Sequence, residues 1–294
     1  MQSEHRSFAI FGGDDRQRYA AEYLRNLGHS VRTWGLFPQD SPQWRELLPA
    51  DAVLLPLPAS ADGVHIASPL CPVLPRLRFS LLASALSPGT VIFGGKLPDA
   101  WLRDARAHGL EIIDYAGDEV FQTRNALPTV EGALLLALDA LPQTLSGTVA
   151  AVTGYGRIAS LLADRLRALG ADTVVLARKA RDLTAAQIRG HRTVRLSAGE
   201  PVMLPPGCLA VFNTVPAQIF DRASLEAFAP GCVYIELASL PGGIDPAAAN
   251  AHGIRVIHGG GLPGRYFPCS AGVAVAETVL SLFPTSNRKE DPSC

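Results

Sequence analysis

The chain has little cysteine and arranges it without pattern. Cys71, Cys208, Cys232, Cys269 and Cys294 form no C-x-x-C pair, and their odd number argues against a disulfide framework. That excludes a small disulfide-stapled secreted domain and suits a reducing compartment. Seven histidines are dispersed without ligand spacing, so no metal site is expected. Net charge is lacking too: a formal -1 leaves neither the basic field that attracts nucleic acid nor the acidic excess of a disordered, solvating chain. No apolar run approaches the ~20 residues of a membrane helix, and even the run at 132–140 is interrupted by Asp139. The opening MQSEHRSFAIFGG lacks the apolar core and cleavage pattern of a signal peptide. These absences predict a cytoplasmic protein with no nucleic-acid or membrane partner.

Glycine and proline are plentiful, at 27 and 23 of 294 residues, and 48% of the chain is hydrophobic, which suffices for two ordinary domains with sizeable cores. The most informative stretch runs from 148 to 179. An apolar, β-branched run at 149–153 reads as a strand buried on both faces. Gly154, Gly156 and Ala159 follow as G-x-G-x-x-A and lead into a helix carrying Ile158, Leu161, Leu162, Leu166 and Leu169 at helical spacing, stopped at Gly170. A second strand is expected at 172–177. In this setting the first glycine allows a tight turn, the second lets backbone approach a pyrophosphate, and the small third residue lets helix pack on strand. The helix start then offers unpaired N–H groups and a positive dipole end to the anion. Such a motif alone also occurs in structural βα turns, but here the strand and helix it requires flank it. Gly154, Tyr155, Gly156, Arg157, Ile158 and Ala159 are therefore candidate cofactor residues.

The end of the second strand identifies the cofactor. An NAD site places Asp or Glu there, about 20 residues past the glycines; this chain has Arg178 and Lys179. Arginine offers a 2′-phosphate a charge-assisted fork of donors, so NADP(H) is expected. The competing account makes the two cations solvated loop charges.

Ahead of this stretch, strands are expected at 7–11, 30–34, 51–57, 90–93 and 110–115, alternating with helices, a pattern that predicts a parallel sheet covered by helices. The turn 12–17, GGDDRQ, is either a capped helix start or a loop offering Arg16 to a substrate carboxylate. A helix from Pro128 through Leu141 starts among Arg124, Asn125, Thr129 and Glu131, which either face a cleft or serve as cap and first-turn acid. Beyond the central motif, strands at 209–212, 232–237 and 255–258 end in three polar or glycine-rich loops. Their convergence assigns the nicotinamide end to Asn213, Thr214, Val215, Pro216, Ser239 and Gly261. A last helix of small residues, 270–283, is expected beside the Pro128 helix. The plan is α/β: two Rossmann-like domains, each a parallel sheet covered by helices, joined by linking helices with an interdomain cleft. The expected boundaries are 1–127 for a substrate domain, 128–143 for a linking helix and 144–268 for an NADP-binding domain. A C-terminal helix at the interdomain connection (269–284) and a polar tail (285–294) complete the chain.

The ordered segments GGDDRQ (12–17), LPTVEGA (127–133), GYGRIA (154–159), AR (177–178), NTVP (213–216), ELASLPGGID (236–245) and GLPGRYFPCSAG (261–272) resemble the dipicolinate synthase A-subunit family over nearly the whole chain. The resemblance implies a two-domain oxidoreductase that forms pyridine-2,6-dicarboxylate from a dihydrodipicolinate-level precursor with NADP, in the mother cell of a spore-forming bacterium. It also implies a partner, the B subunit of dipicolinate synthase, similar to flavin-dependent decarboxylases. The chain departs from the family pattern at RIA (157–159), where RTG is expected and Ala replaces the third glycine, at Cys269, where lysine is expected, and at His258, where an apolar residue is usual.

Oxidising a dihydropyridine dicarboxylate removes a hydride and a proton, so the protein must orient the ring and accept the proton. A dianionic substrate requires cationic or N–H donors, for which Arg16, Arg124 and Arg157 are candidates together with Thr129 and the glycine-loop backbone. Glu131 and Asp118 are the candidate proton acceptors, with water as the alternative, and Asn213 is placed at the catalytic end. Two other readings stay open: a non-catalytic NADP-binding polypeptide that reports cofactor state to a partner, and a hydroxyacid or amino-acid dehydrogenase of the same plan. The last normally needs a His–carboxylate pair, and no sensibly spaced one is evident in the sequence. A homo-oligomer is compatible with each reading.

Overall fold

The computed structural model describes residues 5–284, so the expected tail at 285–294 lies outside the described residues. In chain order the elements are β1 (Ser7–Phe11), α1 (Asp15–Asn26), β2 (Ser30–Trp34), β3 (Ala52–Leu54), α2 (Phe79–Ala83), β4 (Val91–Gly94), α3 (Asp99–Ala107), β5 (Glu111–Asp114) and α4 (Glu119–Ala140). Then follow β6 (Val149–Thr153), α5 (Arg157–Ala168), β7 (Asp172–Ala177), α6 (Ala180–Ile188), β8 (Arg192–Arg195), β9 (Cys208–Asn213), α7 (Arg222–Leu225), β10 (Val233–Glu236), α8 (Pro246–Ala251), β11 (Arg255–His258), α9 (Leu262–Tyr266) and α10 (Pro268–Ser281). Among the described residues they fall into two compact units, 5–124 with 268–284, and 125–267.

The first unit holds a five-stranded parallel sheet of order β2-β1-β3-β4-β5. Alternate strand residues go to opposite faces. Phe8, Ile10, Leu54 and Phe93 pack with α1 and α10, while Ala9, Phe11, Val53, Leu55 and Ile92 pack with Phe79, Leu82 and Trp101 of α2 and α3. Each large apolar side chain so buried contributes about 1.5–3 kcal/mol. Strand order reverses between β1 and β3, the place where open α/β sheets bind ligands at their carboxyl ends. There Gly12 and Gly13 adopt positive φ, and the Gly13 N–H donates to the Ala67 carbonyl at 2.8 Å.

The second unit holds a six-stranded parallel sheet of order β11-β10-β9-β6-β7-β8, the doubly wound order whose switch point lies between β6 and β9. Ala150, Val152, Val175, Phe212 and Ile235 pack with α4 and α5. Ala151, Val174, Leu176, Val211 and Tyr234 face the other side. The expected fold class is thus the observed one: two Rossmann-like units, each a parallel sheet covered by helices. The short helix α9 occupies the glycine-rich stretch expected as a loop after β11.

The helix expected from Pro128 starts nine residues earlier, at Glu119, and carries Pro128 inside it. Proline at a first helical position is common, so the sequence invites the later start. The real cap is Asp118, whose Oδ1 accepts the Phe121 N–H at 2.7 Å. Thr129 is consequently not a cap; it sits in mid-helix, buried, its hydroxyl donating to the Asn125 carbonyl at 2.7 Å.

Helix α10 packs mainly on α1. Small residues permit close approach there. A Cβ on Gly272 would overlap the Arg16 carbonyl and come within 2.8 Å of Tyr19 Cβ and 3.0 Å of the Ala20 nitrogen. Gly272→Val should therefore force the two helices apart and cost about 1–3 kcal/mol, as overpacking does. Urea denaturation measures this, and a variant as stable as the parent would show that α10 is not held by that contact.

Candidate functional site

The second unit builds its site at the carboxyl ends of β6, β7, β9 and β10. Gly154 has φ +80°, and a Cβ there would lie 3.0 Å from both Thr214 Oγ1 and Val215 Cγ2, so turn geometry and close packing both require glycine. Gly156 differs. Its φ is -82°, and an added Cβ would have nothing within 4 Å. The fold itself does not need glycine at this position; open space lies where a ligand's backbone contact would be. Gly156 is the N-cap of α5 and offers no capping side chain to the first turn of the helix. Ala159 is fully buried in the core against β6, while Ile158 packs beside it half-buried. Arg157 is exposed at the helix start.

The strand ends are fastened by a hydrogen-bond network that the sequence did not reveal. Asn213 is fully buried at the end of β9, and Glu236, at the end of β10, is 7% exposed. Asn213 Nδ2 donates to Glu236 Oε1 at 2.7 Å and to the Val215 carbonyl at 2.9 Å. Its Oδ1 accepts the Thr153 hydroxyl of β6 and the Val215 N–H at 3.1 Å. Glu236 accepts three further bonds, from the N–H groups of Ala238 (3.0 Å) and Gly243 (2.7 Å) and from the Tyr234 hydroxyl (3.2 Å). Burial, and then the neighbouring Glu236, push the Tyr234 phenol far above its ordinary range.

The arrangement corrects the assignment of Asn213 to the catalytic or nicotinamide end. Both ends of its amide are engaged inside the protein, so its side chain shapes the loops. Thr214 behaves similarly, its hydroxyl donating to the Thr153 carbonyl at 2.8 Å. Val215 is half-buried, while Pro216, Ser239 and Gly261 are exposed or half-exposed, and Gly261 caps α9 in a left-handed conformation. The signal for Glu236 was present: a carboxylate closing the apolar run VYIE is too costly to bury without donors.

Arg178 lies at the end of β7, exposed, and lines a cavity of about 400 Å³ together with Ser197, Glu200, Gln218, Ile219 and Asp221. Lys179 is exposed and caps α6. Tyr155 turns its side chain inward against the core; only its backbone remains for a ligand. Glu131 is exposed on α4.

On the first unit, Arg16 is 8% exposed and paired with Asp14 at 2.7 Å, with a further bond from Nη2 to the Leu57 carbonyl. Burial opposes its charge, yet Asp14 keeps the guanidinium above its ordinary range. The turn is also a capped helix start, since Asp14 and Gln17 form a capping box on α1. Arg124 is ion-paired with Glu277. Asp118 is a helix cap. A His–carboxylate pair that sequence spacing did not flag is also present: His65 Nδ1 lies 2.8 Å from Asp62 Oδ2 in the turn after β3. Asp62 is held well below the usual carboxylate range by the His65 backbone N–H and ring, and by the Val64 N–H. Among the described residues no cluster of His, Cys, Asp or Glu suits a metal ion, and no helix is long and apolar enough to cross a membrane.

Comparison with known proteins places these features in context. Residues 7–116 match the family model for the N-terminal domain of the dipicolinate synthase A subunit. The dipicolinate synthase A subunit of Bacillus subtilis (strain 168) is 30% identical over 201 residues, spanning 68% of this chain and 67% of the relative. The crystal structure of the dipicolinate synthase A subunit from Bacillus halodurans superposes with a TM-score of 0.81 at 23% identity, covering 95% of this chain and 98% of that one. That of the Bacillus subtilis protein gives 0.79 at 24% identity, with 94% of each chain covered.

The network around Asn213 makes a measurable demand. Asn213→Ala removes one of four donors from buried Glu236 and leaves Thr153 without its acceptor, so it should lower the unfolding free energy by about 1–3 kcal/mol. Thermal or urea unfolding checks this. Unchanged stability together with lost turnover would return Asn213 to a catalytic role.

Proposed function

The chain belongs to the dipicolinate synthase A-subunit family, and from that membership we propose that it oxidises a dihydrodipicolinate-level precursor to dipicolinate, with NADP as hydride acceptor, during sporulation. The observation that most supports the cofactor half of this reading is the open space at Gly156, beside uncapped helix amides. In this reading the backbone of the 154–156 turn and of Arg157, Ile158 and Ala159 receives the pyrophosphate. Arg178 and Lys179 hold the 2′-phosphate, with Ser197 beside Arg178 in the same cavity. The nicotinamide end is left to the backbone around Thr214, Val215 and Pro216 and to Ser239 and Gly261.

When bound, the nicotinamide supplies a hydride acceptor as the substrate ring becomes aromatic. The chain's own residues have to bind two carboxylates and take up one proton. Arg16 and Arg124 are the cations we assign to carboxylate binding. Glu131 is the better proton acceptor, being exposed, whereas Asp118 is engaged as a helix cap; water is the alternative. Thr129 drops out, because its hydroxyl is buried on the helix backbone. The naming of the relatives as one subunit of a synthase implies a second polypeptide, which we assign to a flavoprotein-like B subunit. A mother-cell cytoplasmic location follows from the same reading. A second reading rests on one observation, the Asp62–His65 pair at 2.8 Å. A pair of that type serves a 2-hydroxy-acid dehydrogenase as an oriented base.

Cofactor choice is tested by titrating NADPH and NADH. The parent should prefer NADPH, and Arg178→Ala should weaken NADPH binding roughly 10- to 100-fold, the loss expected for a charged hydrogen bond, while hardly changing NADH. Gly156→Val should abolish binding of both and leave the unfolding transition in place. Equal parental affinities, or a Gly156→Val variant that still binds, would remove this assignment. Activity is tested by adding NADP and freshly generated dihydrodipicolinate, following dipicolinate absorbance with and without the flavoprotein-like partner. Dipicolinate formation is the expected result. Oxidation of 2-hydroxy acids instead, lost in His65→Gln, would favour the second reading.

A further inference from the structure

The turn that would meet the pyrophosphate contains one side chain, that of Tyr155, between two glycines. Its ring packs inward, edge-on to His191 with centroids 6.4 Å apart. His191 is itself wholly enclosed, its side chain 0% exposed, and its Nε2 lies 2.9 Å from Asp164 Oδ1 on α5. Arg189 Nη1 holds the other oxygen of Asp164 at 2.6 Å. Two buried atoms in this cluster have no hydrogen-bond partner among the described residues: Tyr155 Oη and His191 Nδ1. Burial raises the Tyr155 phenol above its ordinary range, and the charges it feels are those of Arg189 and Asp164.

Buried polar atoms without a protein partner are usually satisfied by an ordered water. The chemistry of these two is complementary. In the tautomer that donates Nε2–H to the Asp164 carboxylate, Nδ1 is an acceptor, and the phenol can donate. A single water accepting from Tyr155 and donating to His191 satisfies both.

We infer that Tyr155 is a positioning residue for the cofactor: its hydroxyl, linked through one trapped water to His191 and from there to Asp164, holds the 154–156 turn in the shape that presents the α5 amides. The inference rests on the NADP(H) reading given above and adds the residues that prearrange its phosphate site. Gly154 and Gly156 have no side chain with which to anchor the turn. Tyr155 provides that anchor, and a turn fixed before binding loses less order when the ligand arrives.

The test measures NADPH dissociation constants by fluorescence titration for the parent, Tyr155→Phe, His191→Phe and the double variant. Tyr155→Phe keeps the ring, so a role in packing alone leaves affinity unchanged. The anchor predicts a roughly two- to tenfold weakening, about the worth of one hydrogen bond. It also predicts a double variant no weaker than the worse single one, and faster amide hydrogen exchange in the turn. Asp164→Asn, at a partly exposed position, should weaken binding in the same direction and covers the case in which His191→Phe does not fold. Parental affinity in Tyr155→Phe, or penalties that simply multiply in the double variant, would overturn the inference. A parent that binds neither NADPH nor NADH would instead overturn the cofactor reading on which it stands.

Discussion

The second unit depends on a buried carboxylate that has every acceptor position filled. Glu236 lies almost out of water, where an unpaired charge or polar group is costly. Its four donors come from Asn213 at the end of β9, Tyr234 on its own strand, and two N–H groups of the loop that follows. Asn213 in turn reaches Thr153 at the end of β6. Three adjacent strands are thereby tied together at their carboxyl ends. A network of this kind is stable only when complete, since a missing member leaves another buried and unsatisfied. The loops at 213–216 and 237–243 owe their shapes to it.

Glycines divide along the same line between fold and function. Gly154 and Gly272 are required by the protein's own atoms, the first by positive φ and neighbours at 3.0 Å, the second by the backbone of α1. Gly156 is required by no neighbour among the described residues. Such a position, at the N-cap of α5 with no capping side chain, has a physical reason to stay small only if something else comes close. This contrast links the packing of the turn to its proposed use, and makes Gly156 more informative about binding than the motif to which it belongs.

Much of the architecture was legible in the sequence. Strands β1, β2, β6, β7 and β11 stand at their expected positions because apolar, β-branched runs bounded by glycine leave few alternatives. The G-x-G-x-x-A turn, its helix and the cations after β7 are likewise local features. Where expectation and structure part, a local rule met a tertiary requirement. Pro128 reads as a helix start, but Asp118 caps the helix earlier and burial of Val130, Ala133 and Ala137 in the core supports its continuation. Asn213 reads as a polar residue at a ligand-binding edge, yet it turns inward because Glu236, 23 positions later, has to be satisfied.

The sequence by itself determined the two parallel sheets, the place of the glycine turn after β6 and the charge after β7, because these follow from hydrophobic period, glycine conformation and residue type within a few positions. Tertiary structure alone decided which polar side chains face a ligand and which face each other. Hydrogen bonds between Thr153, Asn213 and Glu236, or between Asp164 and His191, join residues far apart in the chain. No local pattern encodes them, since each partner is defined by strand order and by how deeply it is removed from water.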